Sequence, residues 1–132
     1  MTDLIEVKTS DLVGEQLAWA VATAEGLDVQ LGPPQYGNPW RVFVRRAGEA
    51  TTRVERYNPQ EDWSLGGPLI DEHQALIGTH QIPGLTDKAS ARLHYNGKAC
   101  WQSGSTALIA MCRTVVAAKL GDTVQVPKEL ML

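Results

Sequence analysis

A chain of 132 residues, 43% hydrophobic and 20% charged, has the make-up of one globular domain and is long enough to bury a core without a metal or disulfide staple. Its net charge of -3 argues against a bulk electrostatic grip on nucleic acid or an anionic membrane, while leaving room for a local basic patch. Cys100 and Cys112 match no metal or redox spacing, the start lacks a signal-peptide pattern, and the longest apolar run, ALIAMC at 107–112, is too short to span a bilayer, so a cytoplasmic location with free thiols is expected.

In chain order, LIEVK at 4–8 alternates Ile5 and Val7 with polar neighbours and predicts a short strand. TSD at 9–11 offers N-caps for a helix over 11–25, with Leu12, Val13, Leu17, Ala20, Val21 and Ala24 at helical spacing and Gly26 at the C-cap. Trp19 points away from Leu17, so this helix is either covered on two sides or reaches a partner subunit. LGPPQYGNP at 31–39 reads as a loop. WRVFV and TTRVERY, between 40 and 57, read as a hairpin turning at AGE. NPQED breaks that hairpin, and GGPLIDEHQALIG at 66–78 reads as a turn, then a short segment with a strand through Leu69 and Ile70. THQIPGLTDK is loop. ASARLHYNGKACWQS at 89–103 is a second hairpin, because Asn-Gly tolerates the positive φ of a tight turn. A helix over 106–120 carries Leu108, Ile109, Cys112, Val115, Val116 and Leu120, with Ser103 or Ser105 as its cap and Gly121 as its end. DTVQVP adds a final strand. No internal repeat or linker is visible. The expectation is one α+β domain over 1–132: two main helices packed on a small, mostly antiparallel sheet with long loops.

Three blocks, VKTSDLVGEQLAWAVATAEG, DWSLGGPLIDEH and CWQSGSTALIAMCRTVVAAKLGDTVQVP, together resemble the phage NinX-like family. The resemblance implies a small phage or prophage protein acting in the host cytoplasm. It implies no reaction.

Candidate chemistry concentrates in three places. Asp71, Glu72 and His73, with Glu61 and Asp62 nearby, have the groups for a metal or an acid–base pair, but no metal-ligand spacing accompanies them. A solvated charged segment is the better reading. Ser103, Ser105 and Cys100 sit in no nucleophile motif, and GKACWQSGS has its lysine on the wrong side for a phosphate loop. The third group suits a ligand cradle. Gly66, Gly67 and Pro68 would turn the chain beside Asp62 and Trp63, and Trp101 precedes a helix start, with Arg113 further along that helix. Tyr36, Trp40 and Tyr57 add aromatic surface. Five of the seven arginines (Arg41, Arg45, Arg46, Arg53 and Arg56) crowd one segment, with only Glu49 and Glu55 against them. The ligand-binding set is therefore Tyr57, Asp62, Trp63, Gly66, Gly67, Trp101, Arg113 and Arg45, suited to a planar phosphorylated ligand. No catalysis, metal or cofactor is expected. The expected partners are a small nucleotide-type ligand, such as a defence signal, and further copies of the chain. An antagonist of a host protein is the alternative, and a metal-dependent hydrolase the third reading.

Overall fold

The structure is a computed structural model that describes residues 3–48, 50–80, 83–84 and 86–131. Glu49, part of the expected AGE turn, lies outside them, as do Gln81, Ile82 and Leu85 of the expected THQIPGLTDK loop.

Strand β1, Leu4–Lys8, pairs antiparallel with β8, Thr123–Pro127, so the two ends of the chain form one ribbon. TSD does not cap the first helix. It forms a 3-10 turn, Thr9–Asp11, in which the buried Thr9 hydroxyl donates to the Gly121 carbonyl at 2.6 Å. Helix α1 runs over Gly14–Ala24 and ends where Gly26 takes a positive φ. It buries Leu17, Ala18, Ala20, Val21 and Ala22, which cannot share one face, and it is covered from several sides by other elements of the same chain.

The next three strands form a meander: β2, Asp28–Gly32, β3, Arg41–Ala47, and β4, Thr52–Arg56. The β3–β4 hairpin is as expected. Strand β2 takes residues assigned to the loop, since Val29 and Leu31 already alternate and the prolines begin only at Pro33. The stretch GGPLI is not a turn or a strand. It lies inside helix α2, Trp63–His73, which also carries Pro68. Asp62 caps this helix, its Oδ1 accepting from Ser64 N at 2.9 Å and Ser64 Oγ at 2.6 Å. Pro68 leaves the Ser64 carbonyl without a helical donor, but Ser64 is exposed and water can reach it. Gly66 is buried for a packing reason: a Cβ there would lie on the Pro59 carbonyl oxygen and 2.7 Å from Leu108 Cδ2.

A second meander follows: β5, Leu76–Thr79, β6, Ala89–Tyr95, and β7, Lys98–Gly104. Asn96 and Gly97, both at positive φ, turn β6 into β7 as expected. A helix followed by a three-stranded meander thus occurs twice, although the sequence shows no repeat. Helix α3, Ala107–Leu120, is capped by Thr106 and not by either serine, with Thr106 Oγ1 accepting from Ile109 N at 3.2 Å. All residues from Ala110 to Val116 are buried. The fold is therefore α+β with antiparallel pairing, but three helices and three separate sheets, among the described residues, replace the expected two helices and one sheet. No described helix is long and apolar enough to cross a membrane.

The ends of all three helices are tied by one ionic cluster. Glu25 Oε2, just past α1, lies 3.0 Å from His73 Nε2 in the last turn of α2 and 3.1 Å from Lys119 Nζ in the last turn of α3. The Lys119 ammonium complements the dipole at the end of α3, and Glu25 bridges it to the His73 imidazole. Burial pushes the Glu25 carboxyl up, but hydrogen bonding with Lys119, Glu72 and His73 more than reverses this and holds it below its usual value. Glu72 goes the other way, raised by burial and by the Glu25 carboxylate.

Two predictions follow from this packing. Gly66→Ala should lose about 1–3 kcal/mol in urea unfolding, as overpacking against backbone does. Gly67→Ala, whose Cβ would have Trp63 Cε3 as its nearest neighbour at 4.0 Å, should stay within about 1 kcal/mol of the parent. The second concerns pH. Glu25 is depressed, so its contribution is present above the ordinary carboxylate range and lost as pH falls through the folded value; the raised Glu72 contributes at low pH and loses that contribution as pH rises. Thermal unfolding between about pH 3 and 8 should therefore show Glu25→Gln less stable at neutral pH with a flatter acid limb, and Glu72→Gln more stable at neutral pH.

Candidate functional site

Gly66 lets the first turn of α2 lie against Leu108 in the first turn of α3. The starts of two helices therefore meet. The N–H groups of Ala107 and Leu108 have no acceptor within α3, as at any helix start, and the positive ends of both dipoles point to the same region. A groove of 320 Å³ opens there, lined by Gln60, Glu61, Trp63, Thr106, Ala107, Leu108 and Ile109. Trp63 is 58% exposed, an apolar ring left in water. Gln60 is only 3% exposed, and neither its Oε1 nor its Nε2 has a hydrogen-bond partner among the described residues. A buried amide left this way costs about 1–3 kcal/mol, which a hydrogen-bonding group brought to it would recover.

A second groove, of 410 Å³, shares Thr106 and Ala107 with the first. His80, Lys88 and Ser105 line it, and His80 Nδ1 is buried without a partner among the described residues. The start of α3 thus separates an aromatic, amide-bearing groove from one carrying an ammonium, a hydroxyl and an imidazole.

The residues expected to bind a ligand divide sharply. Trp63 lines the first groove, and Asp62 shapes it by capping α2; the hydrogen bonds from the Ser64 side chain and backbone hold the Asp62 carboxyl below its usual range. Gly66 acts through packing, and Gly67 lies in the helix beside it. Tyr57 is 3% exposed, part of the core, and burial pushes its phenol up. Arg113 is also buried: its Nε donates to the Leu12 carbonyl and its Nη1 to the Ser103 carbonyl, both at 2.9 Å. Neither is presented to a ligand. Trp101 is 67% exposed, shares a face of the β6–β7 pair with its register partner Arg92, and lines neither groove. Arg45 pairs with Asp28 at 3.3 Å across β3 and β2. The basic segment is largely neutralised: Arg46 and Arg53 meet Glu55, and Arg56 meets Glu15 at 2.7 Å. Among the residues missed, Thr106 had a readable signal, a hydroxyl just ahead of an apolar helical run. Gln60, His80 and Lys88 had none, because their placement depends on contacts distant in sequence.

Ser103 Oγ donates to Asp87 Oδ2 at 2.7 Å, and burial pushes the Cys112 thiol up to about 12. Asp71, Glu72 and His73 lie in the last turn of α2. Glu25, Glu72 and His73 do bring three donor atoms within 4.8 Å of one another. Lys119, however, already engages the Glu25 oxygen that meets His73, so a cation placed there would face an ammonium group.

A family model described as Bacteriophage P22, NinX matches residues 8–119. The match spans α1 to the last turn of α3 and includes every residue of both grooves. No curated protein matches the chain. The chain belongs to the Bacteriophage P22 NinX family.

Proposed function

We propose that this phage accessory protein acts by binding, and that it holds a small nucleotide-type ligand at the start of α3 without reacting with it. The observation that carries the reading is the buried amide of Gln60, without a hydrogen-bond partner among the described residues, beside the exposed Trp63 ring. An indole face stacks on any base, and a carboxamide offers one acceptor and two donors to a base edge. Glu61 on the same groove can accept from an exocyclic amine. Phosphate would sit in the neighbouring groove, met by Lys88, Ser105 and the Ala107 N–H at the positive end of the helix. Stoichiometric capture of a nucleotide signal in the host cytoplasm suits a chain with these groups.

A second reading, antagonism of a host protein, has its own support. Leu76, Arg92 and Trp101 lie in register across β5, β6 and β7, all exposed, and Trp and Arg are the side chains that most often anchor protein interfaces. Self-association fits a different surface, the apolar groove of 400 Å³ between Leu4, Trp19 and Leu120.

Calorimetry against adenosine monophosphate, cyclic di- and trinucleotides and ADP-ribose should give saturable binding with the ligand recovered unchanged. Trp63→Ala should weaken it about tenfold or more, the loss of one stacked ring. Gln60→Leu should abolish it while raising stability by about 1–3 kcal/mol, because an unsatisfied buried amide is removed. Silence across the panel, or binding untouched by both substitutions, would remove this reading.

A further inference from the structure

We propose that a separate pocket on the β2–β3–β4 sheet takes a small ligand carrying one carboxylate or phosphate on a flat body. The segment between β2 and β3 is not a loose loop. Gln35 and Asn38 exchange backbone hydrogen bonds of 3.2 and 2.8 Å, and Tyr36 and Gly37 between them both have positive φ, 51° and 82°. This is a two-residue turn of the kind that favours Asn-Gly or Gly-Gly. A tyrosine at its first position is strained, and at 99% exposure Tyr36 gains no packing in return. The fold itself therefore gives no reason for the ring to be there.

Beneath the turn lies a pocket of 320 Å³, near the lower bound for small-molecule sites, lined by Gln30, Tyr36, Asn38, Arg41, Phe43 and Val54 among others. Phe43 lies across Gly32, where any Cβ would strike its ring, so the glycine allows the aromatic floor. Arg41 supplies the charge. Its four neighbours in the basic segment each hold a carboxylate, whereas Arg41, half-buried in the pocket wall, has no ion-pair partner among the described residues. Among the described residues, no acidic side chain lines the pocket. A partly desolvated guanidinium fork binds an oxyanion well, the carboxamides of Gln30 and Asn38 add donors, and the two aromatic rings suit a flat body. The groove at α3 differs, with Glu61 on its wall, so the two sites select different ligands.

The test is an NMR titration of the full chain with phenyl phosphate and, separately, benzoate, with inorganic phosphate as the control. The expected result is a saturable shift of amides within 30–43 by at least one aromatic probe, with inorganic phosphate at least about tenfold weaker; the tighter probe identifies the oxyanion. Arg41→Ala should weaken binding about tenfold or more, and Trp63→Ala should leave it unchanged, which separates this site from the groove at α3. Tyr36→Asn should keep or raise the melting temperature while weakening binding several-fold. The proposal is overturned if neither probe gives saturable shifts in the millimolar range, if Arg41→Ala or Tyr36→Asn binds as the parent does, or if inorganic phosphate binds as tightly as the aromatic probes.

Discussion

Helix α3 is buried on every side over its middle, and that burial constrains the rest of the molecule. A helix covered all round has no face for solvating a polar side chain, so Arg113 and Thr114 must find partners inside. Arg113 reaches the carbonyls of Leu12 and Ser103, and Thr114 Oγ1 donates to the carbonyls of Ala110 and Ala91 at 2.7 and 3.2 Å. These bonds fix α3 against the approach to α1 on one side and against the β5–β6–β7 meander on the other. The guanidinium that looks most like a ligand contact in the sequence is thus part of the frame.

The direction of α2 follows from this. Its first turn meets the first turn of α3 through Gly66 and Leu108, and its last turn meets the last turn of α3 through Glu25. The two helices therefore run in the same sense. Their positive ends share one region of the surface, and their negative ends share the His73 and Lys119 side chains. The electrostatics of the pair are satisfied at the C-terminal ends by the chain's own groups. At the N-terminal ends the caps Asp62 and Thr106 satisfy part of the demand, while the Gln60 side chain has no hydrogen-bond partner among the described residues and the N–H groups of Ala107 and Leu108 have no acceptor within α3. That asymmetry is the physical ground for placing the ligand there.

Much of this fold is legible in the sequence wherever the signal is local. The Asn96-Gly97 hairpin, the β3–β4 hairpin, both terminal strands and the apolar runs of α1 and α3 can be read from spacing alone. Helix α2 cannot, because Gly-Gly-Pro is turn chemistry by composition, and only the close approach of Gly66 to Pro59 and Leu108 makes a helix the better answer. Strand β2 is hidden by the proline-rich segment after it. At the site, Trp63 and Asp62 stand out in the sequence, whereas Arg113 and Tyr57 mislead because their partners lie far along the chain: Arg113 and Leu12 are 101 positions apart. Five arginines in sixteen positions look like a basic patch until the fold sets Asp28 and Glu55 of the sheet and Glu15 of α1 against four of them.

The central claim, that the start of α3 is a ligand site, is tested most directly by mapping a bound nucleotide onto the chain. In a proton–nitrogen NMR titration with adenosine monophosphate, the account predicts that the largest shifts fall on the Trp63 indole N–H, the Gln60 side-chain amide and the backbone amides of Ala107 and Leu108. Shifts that leave these four groups unmoved, whatever else in the protein responds, would contradict it.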